Sequence, residues 1–350
     1  MRWSSLLGAV LLLVLGPAHG ASSATKTLLV HKKKYAMGIV FDLVVYDSSA
    51  DHALAGIDKA FQEIVRLDEL LSNYKSDSEL SRLNRSPHFL PQTVSPDLYL
   101  ILEQSLAYSK ISGGRFDITV APLVDLWKAA LRSGTQPSAR EQSDAQRCIG
   151  YDKVELLPPN KVEFHSACLR IDLGAIGKGY ALDRAAEILR SAGISRALLD
   201  AGGSTILTMG APPGRPGWLI EMRDPSNRCH PQAILSDNSL STSEQSPAGL
   251  LENSYAGHII DPATGRPLRS ALAVSVIAKT ATASDALSTT LLLVGPRVGK
   301  SIVETGVGAS AIWVEPTGEA TLACSGPEIT VRHGLASRCR VSIDRSAGAE

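Results

Sequence analysis

Asp285 and Thr289, in the stretch SDALSTTLLLVG (284–295), are a carboxylate and a hydroxyl four residues apart. On a helix that spacing stacks them on one face. Together they offer hard oxygen ligands of the kind Mg²⁺ accepts while it keeps waters and substrate phosphates. On these residues alone the plainer arrangement is the simpler one: Asp285 in a first helical turn, with Ser284 or Thr282 as cap and Thr289 packed. In IDLGAIGKGYALDRAAEIL (171–189), Asp172 ends a short strand and Lys178 stands at the mouth of a helix. A turn with exposed backbone groups, an acid and a cation suits a ligand bearing both phosphate and hydrogen-bond donors. It is neither familiar phosphate loop. Gly179 stands where a Walker loop needs Ser or Thr, and Gly174, Gly177 and Gly179 reverse the dinucleotide fingerprint. Glycines also serve left-handed turns, and Gly193 fits a helix C′ position, so a purely structural turn stays open. In GHIIDPATGRPL (257–268), His258 precedes a strand fragment and a tight Asp261-to-Gly265 turn. Beside a phosphate, its imidazole could take a proton from an attacking hydroxyl.

These residues need elements to place them. AMGIVFDLVVYD (36–47) is rich in β-formers, and Leu54, Ile57, Phe61, Ile64, Leu67 and Leu71 recur at helical spacing over 53–72. A polar loop follows, then a helix from Pro96 to Ile111, and RFDITVAPLVDLW moves from strand-like to helical. Short strands are predicted near 153–156, 161–164, 168–172, 196–200, 218–223, 232–235 and 273–278, with helices over 180–191 and 284–293. Strands and helices mix without strict alternation, which points to an α+β fold with a mixed sheet and one domain.

With 350 residues, 44% of them hydrophobic, the chain has ample material for a core. Thirty-five basic residues balance 35 acidic ones, so no global field steers it to nucleic acid. His31-Lys32-Lys33-Lys34 is read as a strand end in water. Arg2, the apolar run Leu6–Leu15 and the small residues around Ala18-His19-Gly20-Ala21 read as a secretory signal over 1–20, too short to span a bilayer. A retained anchor is the alternative. No cysteine follows the cleavage region, so a lipid anchor is not expected, and the mature chain is read as exported, in a periplasm, with no transmembrane span. We place a linker at 21–35, the catalytic domain at 36–320 and a tail at 321–350. Export permits disulfides. Cys324 and Cys339 flank a short segment and could pair, whereas Cys148, Cys168 and Cys229 lack metal-ligand spacing.

Taken in order, MGIVFDLVV, LSNYKSDSELSRLN, SGGRFDITVAPLVDLW, IDLGAIGKGYALD, LLDAGGSTILTMG, LSTSE, GHIIDPATGRPL and SDALSTTLLLVG resemble the ApbE family, the FAD:protein FMN transferases. The resemblance covers Met37 to Gly295. It implies that FAD is cleaved at its pyrophosphate, that FMN passes to a Thr or Ser hydroxyl of a target flavoprotein as a phosphoester, and that AMP leaves, with Mg²⁺ required. It further implies that Asp285 and Thr289 bind the metal with backbone oxygens at Ala175 and near Thr282. Asp172 and Lys178 would contact FAD, Arg115-Phe116-Asp117 would line the nucleotide site, and Met37 and Tyr74 would lie near the rings. His258 would stand by the pyrophosphate, where His258, Asp285 or a metal-bound water could be the base. The acceptor would be a periplasmic or membrane-associated flavoprotein.

Four positions depart from the family pattern: Ile39 for threonine, Ser204 for an acid, Glu244 for glycine, and Gly257 for a bulky residue. None removes an expected metal ligand. They bear on how the acceptor hydroxyl competes with water, so an FAD pyrophosphatase is the near alternative and a non-catalytic exported FAD-binding protein the distant one.

Overall fold

The computed structural model describes residues 27–228, 230–245, 258–326 and 340–343. The signal segment 1–20, Cys229, Gly257 and Cys339 lie outside the described residues. In chain order the strands are β1 (Leu28–Ala36), β2 (Ile39–Asp47), β3 (Gln92–Thr93), β4 (Val154–Leu157), β5 (Lys161–Phe164), β6 (Ala197–Ala201), β7 (Thr205–Met209), β8 (Trp218–Glu221), β9 (Gln232–Leu235), β10 (Ser239–Glu244), β11 (Ile260–Asp261), β12 (Arg266–Pro267), β13 (Ala273–Ala278), β14 (Ser310–Val314), β15 (Glu319–Cys324) and β16 (Arg340–Ile343). The helices are α1 (Ala50–Leu71), α2 (Glu79–Arg85), α3 (Pro96–Ile111), α4 (Ala121–Ser133), α5 (Ala139–Cys148), α6 (Gly177–Ser191) and α7 (Ala281–Glu304). A nine-stranded sheet in the order β1-β2-β6-β7-β10-β13-β14-β15-β16 is antiparallel except for the β15–β16 pair. This is the mixed-sheet α+β architecture expected.

Alternation explains the layers. Phe41, Leu43 and Val45 of β2 point to the face covered by α1 and α6, where Ile57, Phe61, Ile64 and Leu67 meet Leu182 and Leu189. Val44 and Tyr46 turn to the other face, which the β8–β9 hairpin covers with Trp218, Ile220 and Leu235. Central β13 is buried at every position because both its faces are covered. α7 packs Leu287, Leu291 and Leu292 over β13 and β14.

Two boundaries differ from expectation. Most of the stretch placed in a linker, 28–35, belongs to strand β1, which is paired along its length with β2. Its charged, alternating side chains suit an edge strand that meets water. At the other end, β15 and β16 carry the sheet into the expected tail. The helix expected over 284–293 starts earlier, at Ala281, and changes direction at Gly295 (φ 74°), after which Pro296 opens a second helical stretch. Residues 168–172 form only a bridge, Val120 to Arg170. The cysteine pairing also differs: Cys148 bonds Cys168, while Cys324 is a free, exposed thiol.

Candidate active site

The candidate site is built where α6 crosses α7. An ideal Cβ on Gly179 would lie 2.2 Å from the carbonyl oxygen of Ala281, so only glycine lets the two helices approach this closely. The close approach has a chemical result: the Gly179 amide donates to Asp285 Oδ2 at 2.9 Å. Asp183, one turn along the same face of α6, accepts from the amides of Ala281 and Thr282 at 2.8 Å and from the Thr282 hydroxyl at 2.6 Å. Burial pushes its carboxyl above the usual carboxylate range. The start of α7 is therefore capped from outside, by Asp183, and by its own Thr280. Asp285 is not a first-turn acid and Ser284 is not a cap, which sets aside the plainer reading of that residue.

Asp285 is 3% exposed. Its Oδ1 accepts from Thr205 Oγ1 at 3.1 Å and Ser241 Oγ at 3.4 Å, and lies 3.4 Å from Lys178 Nζ. Thr205 and Ser241 face each other across β7 and β10. Along β10, alternate residues point at α7: Ser239 meets Ser284 at 2.8 Å, and Ser243 meets Ser288 at 2.8 Å and Thr289 Oγ1 at 3.1 Å. This buried run of hydroxyls fixes the helical face that carries Asp285 and Thr289. Sequence reading missed it, although serine at 239, 241 and 243 facing hydroxyls at 284, 288 and 289 carries the signal.

One cleft of about 1200 Å³ brings together Met37, Tyr74, Arg115, Phe116, Asp117, Asp172, Ala175, Lys178, His258, Asp285 and Thr289, whereas Thr282, buried against Asp183, does not line it. That exceeds the usual span of about 300–1,000 Å³ for small-ligand pockets and suits an elongated ligand. Their surroundings distinguish them. Lys178 also reaches the Gly174 carbonyl at 3.2 Å, and Asp172 Oδ1 accepts from the Gly174 amide at 2.8 Å, closing the turn ahead of α6. Asn84 pins the preceding residue, donating to Ile171 O at 2.9 Å and accepting from Ile171 N at 2.7 Å. No side chain caps α6 and no acid lies in its first turn. Its N-terminal amides and Lys178 thus leave positive character at the cleft.

On the opposite wall the Phe116 ring is buried edge-on to Tyr108, and Asp117 is engaged by its own chain. Asp117 Oδ1 accepts from Thr119 N and Oγ1, and Oδ2 accepts from Tyr151 N at 3.1 Å. Burial raises its pKa. Phe116 and Asp117 therefore shape the wall rather than reach into the cleft. Arg115 Nη2 donates to Asp261 Oδ2 at 3.1 Å and Leu293 O at 3.0 Å, while its buried Nε has no partner.

The rim is looser. Met37 and Gly38 both have positive φ in the two-residue turn between β1 and β2, a conformation that costs Met37 strain. Tyr74 is 82% exposed, with Lys128 Nζ 4.8 Å above its ring. His258 sits exposed at the edge. Desolvation against the cleft and then the Lys178 charge lower its pKa, partly opposed by Glu244. Glu244 is held by Arg223 at 3.1 Å.

The sequence profile of the ApbE family matches residues 37–313. The chain belongs to the ApbE family. Over 291 residues it is 32% identical to the FAD:protein FMN transferase of Klebsiella pneumoniae, covering 76% of this chain and 81% of that one. It is 34% identical over 251 residues to that of Escherichia coli, covering 67% and 70%. Among solved structures, the flavin transferase ApbE from Vibrio cholerae superposes with a TM-score of 0.76 at 25% identity, covering 86% of this chain and 98% of that one. The ApbE protein from Thermotoga maritima gives 0.72 at 26% identity, covering 82% and 94%. The same architecture thus extends over nearly the whole of those family members.

Proposed function

We propose that this chain is a flavin transferase that binds FAD in the cleft, cleaves its pyrophosphate, joins FMN through a phosphoester to a Thr or Ser of a target flavoprotein, and releases AMP. The observation that carries this reading is the convergence of Asp285, Thr289 and Lys178 at the N-terminus of α6, on the floor of a cleft long enough for a dinucleotide. The names of the relatives support it.

The chain's groups divide the work. Lys178 and the α6 amides attract the diphosphate, and Arg115 Nε is a buried donor waiting for an acceptor. Tyr74, with one ring face under Lys128, offers a stacking surface at the mouth. His258, kept neutral below the ordinary histidine range, is available to take the proton from the acceptor hydroxyl.

A divalent ion fits the donor set. Asp285 and Thr289 supply a carboxylate and a hydroxyl, and Ala175 lines the same floor. Among the described residues no group of three or more His, Cys, Asp or Glu could hold a metal. That composition suits Mg²⁺, which takes few protein ligands and completes its shell with phosphates and water. When bound there, Mg²⁺ would neutralise charge on the diphosphate.

The signal over 1–20 and the Cys148–Cys168 bond support export to an oxidising compartment, with a periplasmic or membrane-associated flavoprotein as acceptor. Among the described residues no helix is long and apolar enough to cross a membrane. The test is to incubate the protein with FAD and Mg²⁺, with and without a flavoprotein bearing an acceptor threonine. AMP release that requires the acceptor, together with an FMN mass added to it, is the expected result. AMP release with water alone makes it a pyrophosphatase, and FAD binding without AMP makes it a carrier.

A further inference from the structure

We propose that the Cys148–Cys168 disulfide is a positioning element of the cleft, whose integrity sets the affinity for FAD. The inference rests on the functional reading above. The wall segment 115–120 contains no strand or helix of its own, so its shape depends on what flanks it.

Both flanks are held by hydrogen bonds. On one side Gly150 N donates to Thr119 Oγ1 at 2.8 Å and Tyr151 N to Asp117 Oδ2 at 3.1 Å. On the other, Asp172 N donates to Ile118 O at 2.7 Å and Val120 bridges Arg170. The disulfide joins these two flanks: Cys148 lies two residues before Gly150, and Cys168 two before Arg170. Between the cysteines the chain runs out through the β4–β5 hairpin and back. Beside the bond, the flanks are tied by the β4–β5 ladder, by His165 N donating to Lys153 O at 2.9 Å and by Ser166 Oγ donating to Cys148 O at 3.4 Å, so the disulfide adds a covalent tie to weaker ones. With it, residues 149–151 and 170–172 form a clamp around Asp117–Val120. The clamp fixes Asp117 and Ile118 of the cleft lining against Asp172, which lines the same cleft.

Reduction has a chemical route. Cys168 is exposed and Cys148 buried, so a dithiol reductant attacks at Cys168. A mixed disulfide forms as the S–S bond breaks, and Cys148 leaves as a thiolate that takes up a proton. The second reductant thiol then displaces Cys168 and carries away the oxidising equivalents as its own disulfide. The core beneath, with Leu169 and Ile171 fully buried, keeps the chain folded after this change.

The test compares the oxidised protein, the same protein reduced with a dithiol, and the double variant Cys148→Ser/Cys168→Ser, which leaves Cys324 untouched. Three quantities are read: amide hydrogen exchange along 115–120 and 149–151, FAD dissociation from flavin fluorescence, and kcat for AMP release at saturating FAD. Expected are faster exchange confined to those segments and FAD binding weaker by about tenfold, or about 1.4 kcal/mol. Both should be restored on reoxidation of the reduced protein, with kcat changed less than about twofold. Unchanged exchange, exchange raised over the whole chain, unchanged FAD affinity, or a loss in kcat alone each overturns the proposal. Failure of the oxidised protein to bind FAD refutes the functional reading instead, and hydrogen exchange still decides whether the clamp exists.

Discussion

The floor and the rim of the cleft are built on opposite principles. On the floor, Asp285 is almost wholly buried with four partners within 3.4 Å, and the hydroxyls of β10 are matched to those of α7. On the rim, Tyr74 is mostly exposed and touched by Lys128, His258 is exposed, and the Arg223–Glu244 pair stands in solvent, where an ion pair contributes about 0–1 kcal/mol. On the proposed function, the polar groups that would act on a diphosphate are thus fixed by folding itself, which is where preorganisation counts most. Groups at the mouth, where the proposed acceptor would enter, are left adjustable. Changes to the floor should therefore cost fold and turnover together or turnover outright, and changes to the rim should tune.

The largest effect is expected at Gly179. In Gly179→Ala the new methyl meets the Ala281 carbonyl at 2.2 Å, so α6 and α7 must separate, at a cost of about 3 kcal/mol or more. Thermal unfolding should move well down and AMP release should vanish. Gly193→Ala is the control. It has positive φ but nothing within 4 Å, so only local backbone strain of about 1 kcal/mol is expected. Equal losses in the two variants would show that the helix contact is not what builds the floor.

Asp285→Ala comes next and separates chemistry from folding. AMP release should fall by about a thousandfold or more, the several kcal/mol a phosphoryl site draws from its ion and clamps. FAD binding should persist through the walls. Turnover within about tenfold of the parent protein would place the reacting centre elsewhere.

Ser288→Ala is smaller. It leaves Ser241 and Ser243 each short of one buried partner, at about 1–3 kcal/mol, and loosens Thr289 through Ser243. A stability loss with lowered kcat is expected from calorimetry and AMP release. Lowered stability with kcat intact would show that the hydroxyl run serves packing alone.

The same contrast governs what could be read from sequence. Asp285, Thr289, Asp172, Lys178 and His258 can be singled out by type and spacing, but a structural reading stays open for them until the order of the family motifs gives them roles. Their supports cannot be singled out in this way. Asp183 looks like any polar position on a helix and caps a different one, and Thr205 gains meaning only once β7 and β10 are in register. Gly179 is legible as a glycine, but its cause, a carbonyl of another helix, is a long-range contact. Strand β1 was hidden because an edge strand in water carries lysines, as a linker does. The pairing of Cys148 with Cys168 depends on the β4–β5 excursion bringing distant flanks together, which spacing alone does not encode.

The smallest effect is expected at His258 and gives the sharpest test of the rim. A base with a lowered pKa stays competent to lower pH, so the acid limb of kcat/KM should have its midpoint below about 6.5, the ordinary histidine value. Desolvation is the larger cause and Lys178 the next, while Glu244 acts in the opposite direction. Removing the negative charge in Glu244→Gln should therefore move the limb further down. Removing the positive charge in Lys178→Met should move it up, beyond any loss in FAD binding. Because the rim is solvent-exposed, both shifts should shrink as salt is raised. If the limb stays fixed in both variants, the titrating group is not the imidazole, and the proton of the attacking hydroxyl must leave by another path.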